Sequence, residues 1–240
     1  MIIFAVETSK RYGMKAKRYG TISICMAAGL LSVLLTALVP CHAQEKKVAA
    51  NIGVGVNRRA ADGSLCSNAN IGLFANVDTL RGAQLSVLTG VVRREMRGVN
   101  AALFSAVSHG ASCGVQVAGA VNASSGAMRG VQLAGIANVA RKFNGVQLAG
   151  LTNACTTPMR GIQLSAVTNI AMGVRRGLQI SGVANICSSY MRGIQTAIYN
   201  YADTLNGSQI GLFNVCVSHP RGVQVGVINC LLYTSDAADD

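Results

Sequence analysis

The chain has 240 residues, half of them hydrophobic, with 27 glycines, no tryptophan and a formal net charge of +12 at pH 7. Such a basic balance favours acidic partners, for example anionic lipid, lipopolysaccharide phosphate or nucleic acid. The five cysteines between residues 44 and 229 are odd in number and contain no CxxC pair. Neither a disulfide framework nor a structural zinc site is therefore indicated.

Residues 1–43 contain the three parts of a secretory signal peptide in order. A basic segment at residues 10–18 precedes an apolar stretch at residues 22–39, and Cys41-His42-Ala43 supplies a small-x-small cleavage site. We predict cleavage after Ala43 and export to the periplasm, outer membrane or surface of a Gram-negative bacterium. The alternatives are a single membrane anchor, because the apolar stretch approaches the length of a span, and a lipoprotein anchored through Cys41.

Two further segments flank the main pattern. Residues 44–69 precede the repeats and are predicted to be an N-terminal lead-in or cap. Residues 230–240 break the pattern and resemble the translation of an adapter used in sequencing libraries, so we predict that the repeats at residues 70–229 are truncated at their C-terminus. An acidic tail is the alternative for this last segment.

A tandem repeat of about sixteen residues fills the region between these segments. A glycine recurs at spacings of 14 to 16 residues, and two positions after it stands a carboxamide, which is glutamine in nine repeats and Asn100 in one. The ten glycines are Gly82, Gly98, Gly114, Gly130, Gly145, Gly161, Gly177, Gly193, Gly207 and Gly222. An asparagine follows later in most units, for example Asn138.

The unit at residues 130–140 shows why the repeat is β-structure. Val131 and Leu133 alternate with Gln132, which is the period-two pattern of a strand with one buried face. Gly135 then interrupts the alternation, as expected at a bend or a close approach of two backbones. Helices are disfavoured because each repeat has two or more glycines, many β-branched residues and no 3.6-residue apolar stripe.

Two all-β architectures fit such a unit. In a parallel β-solenoid, each repeat is one coil stacked on the next; in an antiparallel outer-membrane barrel, each repeat is one strand and turn. We favour the solenoid for three reasons. The repeats show no odd/even difference in turn length, stacked coils would align the Gln and Asn side chains into amide ladders, and no aromatic girdles are visible.

The same stacking gives an interpretation of the cysteines. Cys155 and Cys187 occupy equivalent positions of their repeats, where other units have Ala140 and Ala171. We interpret both as inert residues of a small buried site.

An arginine directly precedes seven of the repeat glycines. The residues are Arg81, Arg97, Arg129, Arg160, Arg176, Arg192 and Arg221. Stacked coils would place them in one row, as a possible edge that faces a polyanion. The alternative is that charge on a turn only keeps the array soluble and blocks side-to-side pairing of strands.

Catalytic motifs are not evident. The acidic residues between 44 and 229 are scattered in repeat phase, and His109 and His219 do not stand in a metal-ligand spacing. We therefore predict no catalysis, no cofactor and no metal. A polysaccharide-degrading β-helix would need aromatic rows and a carboxylate cluster, and neither is visible.

The unit Gly-Val-Gln-Leu-Ala-Gly-(Ile/Leu)-x-Asn at Gly130 and Gly145 resembles the bacterial surface-repeat family first described from Leptospira and common in Bacteroidetes. The resemblance covers roughly residues 70–229 and implies an exported cell-envelope protein without an established biochemical role. We expect a structural or interaction role, with anionic envelope components or the membrane surface as partners and no specific nucleic acid. A barrel with a channel or structural role is the alternative.

Overall fold

The computed structural model describes residues 44–56 and 63–232, and these form β-structure with turns and bends but no helix. All fourteen strands belong to one continuous sheet that winds along the chain. The predicted signal peptide, residues 1–43, and the last eight residues lie outside the described part. Because the described residues contain no helix, none of them forms a helix that could cross a membrane.

The strands follow one another with short interruptions at the bends. Their bounds are β1 Gln44–Val56, β2 Gly63–Ala102, β3 Ser105–Ser108, β4 Ala111–Ala118, β5 Val121–Ala134, β6 Ala137–Ala149, β7 Thr152–Cys155, β8 Met159–Ser165, β9 Thr168–Ala171, β10 Val174–Ser181, β11 Ala184–Thr196, β12 Tyr199–Ile210, β13 Phe213–Val225 and β14 Ile228–Leu231.

Every strand pair among the described residues is parallel, and its register matches the sequence repeat. In the pairing of β5 with β6, Gly130 lies beside Gly145 and Gln132 beside Gln147. The chain forms about nine coils of about sixteen residues. The predicted parallel β-solenoid is therefore confirmed, and the alternative of an antiparallel barrel is wrong because neighbouring strands run in the same direction.

One coil, residues 130–144, shows which positions point inward. Gln132, Asn138, Ala140 and Phe143 are buried, whereas Leu133 and the residues at the bend are exposed. The buried face of the alternating strand is thus the amide face. A coil of this length encloses a narrow interior, and one Gln, one Asn, one small residue and one larger apolar residue fill it.

The repeat glycines are required by contact between successive coils. Gly130 has a φ of 132°, a conformation that side chains disfavour, and a Cβ there would collide with the backbone oxygen of Gly114. At the bend, a Cβ on Gly150 would meet the backbone oxygen of Gly135. Glycine therefore permits close stacking at the repeat glycine and at most of the bends; Ala166 and Ala197 occupy the bend position in two coils.

The two flanking segments also contribute strands. The predicted lead-in or cap, residues 44–69, includes β1, which lies parallel to β2 with Asn51 beside Asn70. At the other end, Cys230 and Leu231 of the predicted adapter translation belong to β14 and lie beside Val215 and Cys216. Residues 233–240 of that predicted segment lie outside the described residues.

Candidate interaction surface

A continuous ladder of asparagine side chains runs through the interior. Each Nδ2 donates to the Oδ1 of the asparagine in the next coil, at 2.8–3.0 Å. The members are Asn122, Asn138, Asn153, Asn169, Asn185, Asn200, Asn214 and Asn229. Asn138 Nδ2 also donates to the carbonyl of Leu148 at 2.6 Å, just before the bend. The asparagine thus satisfies a carbonyl that the bend would leave without a donor.

A second ladder of glutamine side chains lies beside the first and has the opposite direction. Here Nε2 donates to the Oε1 of the preceding coil, for example from Gln132 to Gln116 at 2.7 Å. The same bond recurs at 2.7–2.9 Å through Gln147, Gln163, Gln179, Gln195, Gln209 and Gln224. Because the two ladders point in opposite directions, their side-chain dipoles oppose one another. The predicted amide ladders are confirmed.

Apolar side chains fill the rest of the interior. A column that includes Met96, Met128, Phe143, Met159 and Met191 is almost fully buried. A second column alternates alanine with Cys155, Cys187 and Cys216, all buried. Desolvation raises the pKa of the Cys187 thiol to about 11. The prediction of a small buried site is confirmed, and a thiol with this pKa is a poor nucleophile at neutral pH.

The outer surface carries many exposed large apolar side chains that repeat from coil to coil, and a contiguous exposed apolar patch is informative. We call the residues that follow the bend glycine or alanine the corner row: Ile136, Leu151, Val167, Val183, Ile198 and Leu212. Their exposed fractions range from 37% to 49%. Each lies directly against its neighbour in the next coil, as the bond from Leu151 N to Ile136 O shows. The row is therefore continuous along six coils.

A shallow groove runs beside the corner row on the outer face of the sheet. Its volume is about 510 Å³, and its walls are the side chains of Val117, Leu133, Leu148, Leu164 and Ile180 with the small residues that follow them. No charged side chain lines it. Apolar surface therefore extends from the bend onto the strands.

The arginines form a row at the other end of the same strands. Arg160 lies beside Arg176, and Arg129 and Arg160 flank Asn144. Cys113 stands between Arg97 and Arg129, and Asn206 stands between Arg192 and Arg221. All seven arginines are exposed. We call these seven residues the arginine row. They are aligned along the stack, with three uncharged residues between them.

Acidic groups near the arginine row are few. Arg97 Nε pairs with Glu95 at 2.7 Å. Among the described residues, Arg160, Arg176 and Arg192 have no carboxylate within salt-bridge distance. Between residues 63 and 232 the sequence has twelve Lys and Arg against three Asp and Glu. From Arg160 to Arg192 the row is therefore a strip of positive charge without a paired carboxylate among the described residues.

Metal-binding clusters and titratable surface groups were the other features of interest in this part of the chain. The described residues include no cluster of three or more His, Cys, Asp or Glu that could hold a metal. His109 contacts Ser125 Oγ at 3.2 Å on the surface, and burial followed by the charge of Arg93 lowers its pKa. The arrangement offers surfaces for contact, with apolar residues at the bend and cations at the opposite end of the strands.

Comparison with known proteins gives no match: no family model, no curated protein and no solved structure is detectably similar to the chain. The fold therefore defines the class, which is that of parallel β-solenoid repeat proteins.

The apolar outer surface is the feature that sequence reasoning missed. Two signals were available. Apart from the repeat glycine, the amide is the most regularly kept residue of the strand. Leu133 and Ile136 lie on opposite sides of Gly135 and three residues apart, so an alternating strand cannot point both side chains inward. A column of buried amides and an apolar face that points outward account for both signals.

Proposed function

We propose that this chain is an exported, non-enzymatic repeat protein of the bacterial cell envelope with a structural or interaction role. The observation that carries this proposal is one outer surface repeated in register along a stack whose interior is closed by two amide ladders. Such a stack presents the same side chains at intervals of about 4.8 Å. A periodic surface of this kind suits an extended partner better than a small substrate.

The charge of the surface supports an anionic partner. Arg160, Arg176 and Arg192 follow one another without an interruption and without an acidic neighbour. Rows of like charge raise the local concentration of counterions of the opposite sign. We therefore assign the arginine row to contact with anionic components of the envelope. We also propose that the chain is a member of the surface-repeat family that its Gly-Val-Gln units resemble.

Fractionation of the producing bacterium tests this proposal. The chain, expressed with its own first 43 residues, is expected in the envelope fraction with a β-rich circular dichroism spectrum. A wash with 1 M salt, where the Debye length falls to about 3 Å, is expected to release part of it if the arginine row contributes. Recovery of the chain only in the cytoplasm would contradict export and with it the proposed role.

A further inference from the structure

We propose that the corner row and the arginine row form a docking surface for an anionic lipid bilayer, with the corner row inserted among the acyl chains and the arginines at the headgroup phosphates. This inference rests on the proposed envelope function and names its partner. Four properties of the surface support it.

The first property is the extent of the apolar surface. Six large side chains of the corner row stand in line over a length of about 24 Å, taking the spacing of parallel strands. The groove beside them adds Leu133, Leu148 and Ile180 to the same surface. Soluble monomers rarely expose a contiguous apolar patch of more than a few hundred Å², and a larger patch usually marks an interface.

The second property is that the backbone N–H groups at the bend bond within the stack. Ile136 N donates to Ala120 O at 2.9 Å, and Leu151 N donates to Ile136 O at 3.0 Å. The carbonyl of Leu148, which precedes the bend, accepts from Asn138 Nδ2. Backbone groups can enter hydrocarbon only when they are satisfied within the protein. The N–H groups of the bend and the carbonyl that precedes it meet this requirement.

The third property is the position of the cations. Arg129, Val131 and Leu133 lie on the outer face of one strand, with the arginine four residues before the leucine. Four residues of strand span about 13 Å. An apolar edge at an interface is buried by about 5–10 Å. When the corner row is buried to this depth, the arginine row, about 13 Å from the groove position of Leu133, lies on the headgroup side of the groove, and each cation adds about 1 kcal/mol of attraction to anionic lipid.

The fourth property favours a bilayer over a second copy of the chain. The corner row stands on the outside of a bend, which is convex, and two rigid convex edges bury little area against each other. Acyl chains are fluid and can cover such an edge. Parallel pairing of two copies through the adjoining sheet face would also bring their arginine rows together, which like charge opposes.

The experiment measures binding of the full chain to vesicles in a flotation assay. Vesicles of phosphatidylcholine with about a third phosphatidylglycerol are compared with vesicles of phosphatidylcholine alone. We expect binding to the anionic vesicles that is at least fivefold tighter, in line with several cations at the surface.

Two substitutions of equal exposure provide the matched test. Leu151 in the corner row is 49% exposed, and Met172 at the opposite turn is 48% exposed. Leu151→Asp is expected to weaken binding about tenfold, since it removes the transfer of one large apolar side chain. Met172→Asp introduces the same charge away from the surface and should leave binding within twofold. Thermal melts of both variants verify that they remain folded.

The double variant Arg176→Gln with Arg192→Gln distinguishes the contribution of the arginine row to binding from that of the corner row. This variant is expected to lose the preference for anionic vesicles and to keep weak binding to neutral ones. Absence of vesicle binding, or equal effects of Leu151→Asp and Met172→Asp, would overturn the docking proposal. A dimer in sedimentation that Leu151→Asp dissociates, without vesicle binding, would assign the surface to a second copy. In either case an envelope location would leave the proposed function standing, because fractionation tests it independently.

Discussion

Two regions of the solenoid fill their interior with different polar side chains. We call residues 111–232 the ladder coils and residues 63–110 the N-terminal coils. In the ladder coils each interior contains one glutamine and one asparagine, and each amide bonds to its equivalent in the next coil. In the N-terminal coils the asparagine column is occupied by Gly90 and then Ala106, which lies directly beside Asn122.

Neighbouring side chains compensate for the missing asparagines. Asn100, which stands in the glutamine column, donates from Nδ2 to the carbonyl of Gly90 at 3.3 Å and accepts from Gln84 Nε2 at 3.2 Å. Gln84 therefore donates toward the C-terminal end, whereas Gln132 donates toward the N-terminal end. The direction of the glutamine column reverses between the two regions.

The reversal leaves a mismatch where the regions meet. Gln116 Nε2 and Asn122 Oδ1 are both buried and, within the described residues, have no hydrogen-bond partner. Buried groups of this kind cost roughly 1–3 kcal/mol each. The comparison teaches that a ladder is stabilising along its length and costly at its ends, so a regular array gains from each coil added.

Substitution of a glycine that touches the backbone of the preceding coil is expected to have the largest effect, and a glycine in the asparagine column of the N-terminal coils should matter less. Gly145→Ala, at a φ of 145°, places a Cβ against the backbone oxygen of Gly130, whereas Gly90→Ala meets the side-chain atoms of Asn100, Gln84 and Ser86, which can shift. We expect losses of about 3 kcal/mol and about 1 kcal/mol in the free energy of unfolding. Urea denaturation measures both.

Arg160→Gln serves as the control for that experiment. Its side chain is exposed and has no ion pair among the described residues, so the unfolding midpoint should not change. A larger loss for Gly90→Ala than for Gly145→Ala would mean that backbone contact does not set the stacking distance.

Removal of one ladder asparagine is expected to have the next largest effect. Asn169→Ala eliminates the bonds from Nδ2 to Ile180 O at 2.7 Å and to Asn185 Oδ1 at 3.0 Å, and it removes the acceptor of Asn153. We expect a loss of about 2 kcal/mol, because buried partners remain unsatisfied. Asn144→Ala makes the same change at an exposed site and should cost little. Equal losses would show that the ladder adds nothing to stability.

The architecture could be predicted because residues that stack on one another recur at a fixed spacing in the sequence. Gly130 and Gln132 recur at one spacing, and only coils of equal length bring such residues into one column. The direction of each ladder could not be predicted, since it depends on which carbonyl lies within reach of each amide, for example Leu148 for Asn138. That contact follows from the bend and not from the residue types alone.

The candidate surface was predictable only in part. The arginine row follows from repeat phase, and the structure places Arg160 beside Arg176 as expected. The exposed corner row did not follow, because apolar residues in an alternating strand ordinarily indicate its buried face. In this chain the coil is too narrow for two layers of large side chains, so Gln132 occupies the interior and Leu133 points outward.

Extension of the asparagine ladder into the N-terminal coils is expected to stabilise the fold slightly. Ala106→Asn would place a donor beside Asn122 Oδ1, which has none among the described residues. We expect a gain of about 1 kcal/mol, the net value of one buried hydrogen bond. Ala140→Asn, in the neighbouring apolar column, is the control and should destabilise because it buries an amide among apolar residues. A loss for Ala106→Asn would show that Asn100 already fills the space.

The smallest expected effect is a pH dependence at the boundary between the regions. Burial, and secondarily the charge of Arg93, lowers the pKa of His109 below 6.5 in the folded chain. The unfolded chain therefore binds this proton more readily, so the stability is full above pH 6.5 and decreases as the pH falls through 6.5 toward the lowered value. Urea midpoints between pH 7.5 and 5.5 should show this decrease in the parent chain. His109→Gln, which cannot be protonated, should show a smaller decrease; an equal decrease would assign the pH dependence to other groups.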